Sequence, residues 1–180
     1  MGNSVIDLRS ALKLLENTPG QLISTDVEVD PSAELAGVYR HIGAGGTVAR
    51  PTKLGPAMMF NNVKGHPNSK VVIGMLSDRA RVALLLGTTP DKLGQLLRDS
   101  VKNPIQPIVI DNSKAKCQEV VHLATDPDFD IRKILPAPTN TPEDAGPYIT
   151  LGMCYASDTE NGDSDVTIHR LCLQSKDEIT

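Results

Sequence analysis

The chain has 180 residues, 39% of them apolar, and a net charge of −4 from 18 Lys and Arg against 22 Asp and Glu, with three Tyr, two Phe and no Trp. That is enough apolar material to give one ordinary domain or two small ones a core, and it excludes a disordered chain. Scattered cations and scarce aromatics exclude a phosphate-tracking, base-stacking surface, so nucleic acid is not an expected partner.

The three cysteines, Cys117, Cys154 and Cys172, are odd in number and lie in no paired spacing, so they read as small buried thiols rather than a disulfide framework or a zinc knuckle. Residues 1–7 carry no basic run leading into an apolar core, and no segment approaches the roughly 20 apolar residues of a membrane span. The expected setting is a reducing, cytoplasmic one, away from membranes.

In chain order, residues 5–15 place Leu8, Leu12 and Leu15 on one helical face, and the run from Asn17 to Gly20 stops that helix. Residues 21–29 have the pattern of a strand. Asp30, Pro31 and Glu34 then predict the cap and first turn of a second helix running through Leu35, Val38, Tyr39 and Ile42. Gly43, Gly45 and Gly46 follow that helix. A dinucleotide loop follows a strand, so the glycines are read as a helix C-cap and loop rather than a phosphate cradle.

Residues 57–63 and 70–75 predict two strands around a turn at 64–68, with Met58, Met59 and Met75 as core filler. Asp78 caps a helix over 78–86, and Thr89-Pro90-Asp91 opens another through Leu93, Leu96, Leu97 and Val101. The alternation makes an α/β unit ending near Asn103. Residues 103–107 read as a linker, followed by short strands at 108–110 and 119–123 and a proline-rich passage to Pro142. Two longer strands then flank the polar loop 157–164: one follows Asp144-Ala145-Gly146-Pro147, and the other runs from Asp165 through Arg170 to Leu173. Alternation sets Ile168 and Arg170 on one face and Asp165 and Thr167 on the other. By itself an arginine there is more often an exposed strand residue, and Asp165 a turn residue. His41, His66, His122 and His169 form no common motif.

Several separated motifs occur in a fixed order: Asp7-Leu8-Arg9, Glu34-Leu35-Ala36, Phe60-Asn61-Asn62-Val63-Lys64-Gly65, Asp126-Pro127-Asp128-Phe129-Asp130, Asp144 through Thr150, and Ile168-His169-Arg170. Together they resemble the N-terminal part of the UbiD-type decarboxylases, especially the branch acting on 4-hydroxybenzoate or protocatechuate. The resemblance implies an α/β (α+β) fold: an N-terminal α/β domain over 1–103 and, over 104–180, the first strands of a split β-barrel. That barrel binds prenylated flavin mononucleotide (prFMN) with Mn2+ or Mg2+ and a monovalent cation, K+.

The family segment Asn-x-x-Ile-x-Arg aligns with residues 165–170. It implies Asp165 as a metal ligand, Ile168 against the flavin, Arg170 as the catalytic arginine, Thr150 and Thr167 beside the cofactor, and the Val166 carbonyl on the monovalent cation. Asp165 replaces the commoner Asn, which keeps a hard oxygen donor and changes the charge of the site. The implied reaction is non-oxidative loss of carbon dioxide from an aromatic acid, with a flavin prenyltransferase supplying the cofactor and a homo-oligomer as the complete assembly. The family's remaining metal ligands and its two working glutamates lie beyond Thr180. The expectation is therefore that the 180-residue chain alone is inactive, an enzyme segment, the alternative being a non-catalytic remnant that pairs with a full-length relative.

Overall fold

The computed structural model describes residues 5–46 and 50–180. Residues 1–4, at the start of the stretch read for a leader, lie outside them.

Helix α1 (Leu8–Glu16) begins at a reciprocal cap: the Asp7 carboxylate accepts from the Ser10 N–H at 2.7 Å, and the Ser10 hydroxyl accepts from the Asp7 N–H at 3.0 Å. Ala11 and Leu15 are its buried residues and pack with Leu85. Leu8, expected on the same face, is 56% exposed, because it sits at the helix mouth ahead of the elements that cover Leu15.

Strand β1 (Leu22–Thr25) pairs in parallel with β2 (Ala57–Phe60), which pairs antiparallel with β3 (Val71–Ile73). All four residues of the central β2 are buried, and Met58 and Phe60 join Val29, Leu35 and Val63 in the main core. β1 is shorter than the predicted 21–29. Its extension survives only as a single bridge from Val29 to Val63, while Val27 is exposed.

Helix α2 (Glu34–Ala44) starts three residues later than its sequence signals predict. Ala33 adopts φ 67, and the N–H of Ala33 and the carbonyl of Pro31 both bond to the backbone of Thr139, drawing the turn out of the helix. Asp30 therefore does not cap α2. Its carboxylate accepts from the Ser32 N–H at 2.8 Å and from Lys64 at 2.9 Å, and Glu34 accepts from the Asp30 N–H at 2.7 Å. At the other end Gly45, at φ 87, is the predicted C-cap; its N–H and that of Gly46 donate to the Arg40 carbonyl.

Helix α3 (Arg79–Leu85) is capped by Asp78 as predicted. It carries a buried cation, Arg81, at 1% exposure. Arg81 donates to the Gly55 carbonyl at 2.6 Å, the Gly74 carbonyl at 2.7 Å and Gln21 Oε1 at 3.0 Å, so one guanidinium ties together the segments around all three strands. Helix α4 (Leu93–Lys102) begins at Leu93 rather than at Pro90, because residues 89–92 close a separate turn through a Lys92 N–H to Thr89 carbonyl bond.

Residues 104–111 have no regular structure, in keeping with a linker. The strands predicted at 108–110 and 119–123 are absent. Ile108, Val109, Val120 and Val121 are exposed and have no ladder partner among the described residues, and an unpaired strand has no standing stability. A short helix not read from the sequence, α5 (Ile131–Ile134), occupies the proline-rich passage. The Asp130 carboxylate caps it, and Arg132 folds back on that carboxylate at 2.9 Å. Cys172 is buried as expected, but Cys154 is half-buried and Cys117 exposed, since Cys117 lies on a short turn outside the core.

The last two strands, β4 (Tyr148–Ser157) and β5 (Ser164–Cys172), form the predicted antiparallel hairpin. Together the elements make a mixed α/β chain with one three-stranded and one two-stranded sheet among the described residues.

Candidate active site

The hairpin register decides which side chains can meet. Tyr148 pairs with Cys172 and Ile149 with Leu171, but the next pair is Gly152 with His169. Two residues, Thr150 and Leu151, therefore oppose Arg170 alone. This is a β-bulge, a device that re-aims side chains. Gly152 is required beside it: a Cβ there would strike Leu171 Cδ1 at 2.7 Å and the His169 carbonyl at 3.0 Å.

At this bulge a hollow of about 490 Å³ opens, lined by Thr150, Arg170, Tyr148, Asn140, Glu143 and Asp144 among others. Thr150 and Arg170, nominated separately from the sequence, line the same space. Asn140 and Tyr148 were missed. Sequence offered a signal for Tyr148 alone, which alternation at the head of β4 sets two places from Thr150. Asp144 fixes the rim: its carboxylate accepts from the N–H groups of Asn140 at 3.1 Å and Thr141 at 3.0 Å. The Cys172 thiol beside it holds the Tyr148 phenol above its usual pKa, while Arg170 pulls weakly the other way. The phenol therefore keeps its proton at neutral pH.

The other nominated residues lie further along β5. Ile168 pairs with Met153, and Val166 with Tyr155, so these four form an exposed, largely apolar patch on one face. Thr167 pairs with Cys154 and Asp165 with Ala156 on the opposite face. Asp165 Oδ1 accepts from the Val166 N–H at 2.8 Å. Arg170 lies five steps of extended strand beyond Asp165, about 17 Å at the usual rise.

As a metal site the donor set is partial. Asp165 offers one hard oxygen, and among the described residues no three His, Cys, Asp or Glu side chains come together to hold an ion. No helix among the described residues is long and apolar enough to cross a membrane.

Known proteins resemble this chain in sequence and in fold. Residues 12–101 match the 3-octaprenyl-4-hydroxybenzoate carboxy-lyase N-terminal domain, and residues 108–180 the Rift-related domain of the same enzymes. The chain is 52% identical to the gallate decarboxylase of Lactiplantibacillus plantarum over 96% of its own length and 35% of that protein's. It superposes on the apo structure of a 3,4-dihydroxybenzoic acid decarboxylase from Enterobacter cloacae with a TM-score of 0.91 at 61% identity, covering 98% of this chain and 36% of that one. An evolved dimeric form of a UbiD-class enzyme from Pelotomaculum thermopropionicum, solved in complex with prFMN, gives a TM-score of 0.81 at 29% identity, covering 99% of this chain and 38% of that one. The chain thus spans little more than a third of the length of these relatives. From two matched domains in order and identities of 52–61%, the chain belongs to the UbiD family of carboxy-lyases and is close to its gallate and 3,4-dihydroxybenzoate decarboxylases.

Proposed function

We propose that this chain supplies the substrate-carboxylate end of a non-oxidative hydroxybenzoate decarboxylase. The observation that carries the reading is the meeting of Thr150 and Arg170 across the bulge in one polar hollow. The proposed organisation is an α/β domain over 1–103 and the opening strands of a split barrel over 104–180.

Arg170 receives the aromatic acid. A planar guanidinium engages a carboxylate through two parallel N–H bonds, fixing the scissile carbon–carbon bond in one orientation. Thr150 borders the same space with a hydroxyl. Ile168, with Met153 across the ladder, provides the apolar face that packs a flat ring and excludes water. Asp165 contributes one oxygen to a divalent cation, Mn2+ or Mg2+, and the Val166 carbonyl one to K+. Thr167 follows them on the strand. Bound prFMN supplies the electron sink for the ring carbon that loses carbon dioxide. The products are carbon dioxide and the arene, with a proton in place of the carboxylate.

One carboxylate cannot complete a near-octahedral ion, so further ligands and a proton donor come from outside the described residues. We propose that they belong to the two-thirds of the relatives' length that this chain does not span, and that the complete protein is a homo-oligomer loaded by a flavin prenyltransferase. The test is carbon dioxide release from 3,4-dihydroxybenzoate, 4-hydroxybenzoate and gallate by the complete, prFMN-loaded polypeptide. Turnover of none of the three removes the reading.

A further inference from the structure

The hollow beside Arg170 contains more recognition chemistry than a carboxylate needs. Tyr148 pairs with Cys172, two residues along β5 from Arg170 and on the same face, which makes Tyr148 the diagonal neighbour of Arg170, about 7–8 Å away.

Tyr148 is held from both sides. Its N–H donates to the Pro138 carbonyl at 3.0 Å, and the Leu173 N–H donates to the neighbouring Pro147 carbonyl at 3.0 Å. The Asn140 side chain shares the rim, and the loop carrying it is tied down through the Asp144 carboxylate. Tyr148 and Asn140 also line an apolar hollow of about 330 Å³ formed by Leu135, Pro136, Pro138, Ile73 and Leu151. The two residues therefore stand where a polar space and an apolar one meet, an arrangement that suits a flat ring bearing a hydroxyl group.

Among the hollow's charged groups, Glu143 can accept a hydrogen bond from a ring hydroxyl but cannot donate one to it. Arg170 is the cation among the lining residues and is assigned to the carboxylate; Asp144 is spent on two backbone N–H groups. A phenol O–H and a primary amide each donate and accept, which is what a ring hydroxyl requires of its partners. We propose that Tyr148, assisted by Asn140, is the specificity-determining residue that reads the ring hydroxyl of the substrate while Arg170 holds its carboxylate. This inference rests on the decarboxylase reading above.

The test compares the complete prFMN-loaded protein with its Tyr148→Phe variant. KM and kcat are measured for 3,4-dihydroxybenzoate and 4-hydroxybenzoate, together with the inhibition constant of benzoate, which has the carboxylate but no hydroxyl. Loss of one hydrogen bond to the ring predicts a KM about tenfold higher for the hydroxylated acids, with the loss falling on KM rather than kcat and benzoate inhibition unmoved. Asn140→Ser should shift the same ratio in the same direction. Unchanged KM in an active Tyr148→Phe enzyme overturns the inference alone. Weakening of benzoate by the same factor also overturns it, because Tyr148 would then serve packing only. A wild-type enzyme that turns over no hydroxybenzoate overturns the inference together with the reading beneath it.

Discussion

At the scale of single residues, the assignment of Arg170 makes the sharpest prediction. In the complete enzyme Arg170→Ala should lower carbon dioxide release by at least about 10²-fold, the loss expected when a positioned charge partner of the reacting group is removed, while prFMN stays bound. Flavin absorbance on the purified variant checks the second half of that statement. Undiminished turnover would strip Arg170 of its role.

Asp30 makes a different prediction. The Ser32 N–H and then Lys64 hold its carboxyl below the ordinary 3.8. A depressed folded pKa means stability that is fully present above about pH 4 and drains away as the pH falls through the folded value. Asp30→Asn keeps an acceptor for the Ser32 N–H and removes the charge. Its urea midpoint should lie below the wild type's at pH 6, and the gap should narrow as the pH falls below about 4. A gap that widens on acidification would contradict a lowered Asp30 carboxyl in the folded state.

At the scale of elements, Arg81 is the part that holds the first sheet to its loops. Arg81→Met keeps the bulk and strands the Gly55 and Gly74 carbonyls, which argues for a loss of about 2–4 kcal/mol in chemical denaturation. Arg81→Lys cannot span the same fork of acceptors and should recover only part of it. A variant within about 0.5 kcal/mol of wild type would mean that water satisfies both carbonyls.

The elements also show what could be read in advance. The hairpin, the capping of α3 by Asp78 and the Gly45 C-cap were legible because each depends on neighbours in sequence. The start of α2 was not: Asp30, Pro31 and Glu34 carry every local signal for a helix, and a bridge to Thr139, more than a hundred positions away, overrides them. Likewise 108–110 and 119–123 have strand composition but no partner to pair with among the described residues. α5 escaped notice because prolines surround a single capped turn. In the site, Arg170 and Asp165 were reached only through family resemblance. Alternation alone could link Tyr148 to Thr150, and Asn140 was out of reach, since the bulge that brings β4 against Arg170 has no signature in the chain.

At the scale of the whole molecule, the hairpin presents Met153, Tyr155, Val166 and Ile168 to solvent, and the segment around Ile105, Ile108 and Val109 is equally bare. Exposed apolar faces and an open ladder edge invite association. Both are what the opening strands of a larger barrel would present to the rest of it, and the chain's share of its relatives' length, 35–36%, agrees with that arrangement. On this account the residues here orient an aromatic acid, and catalysis needs the whole assembly.

The measurement that tests this most directly is carbon dioxide release from 3,4-dihydroxybenzoate by the complete prFMN-loaded polypeptide, run beside its Arg170→Ala variant. The account predicts stoichiometric carbon dioxide and catechol from the wild type and at least about 10²-fold less of both from the variant. No carbon dioxide from a wild type with flavin fully bound, or equal release from both proteins, would contradict it.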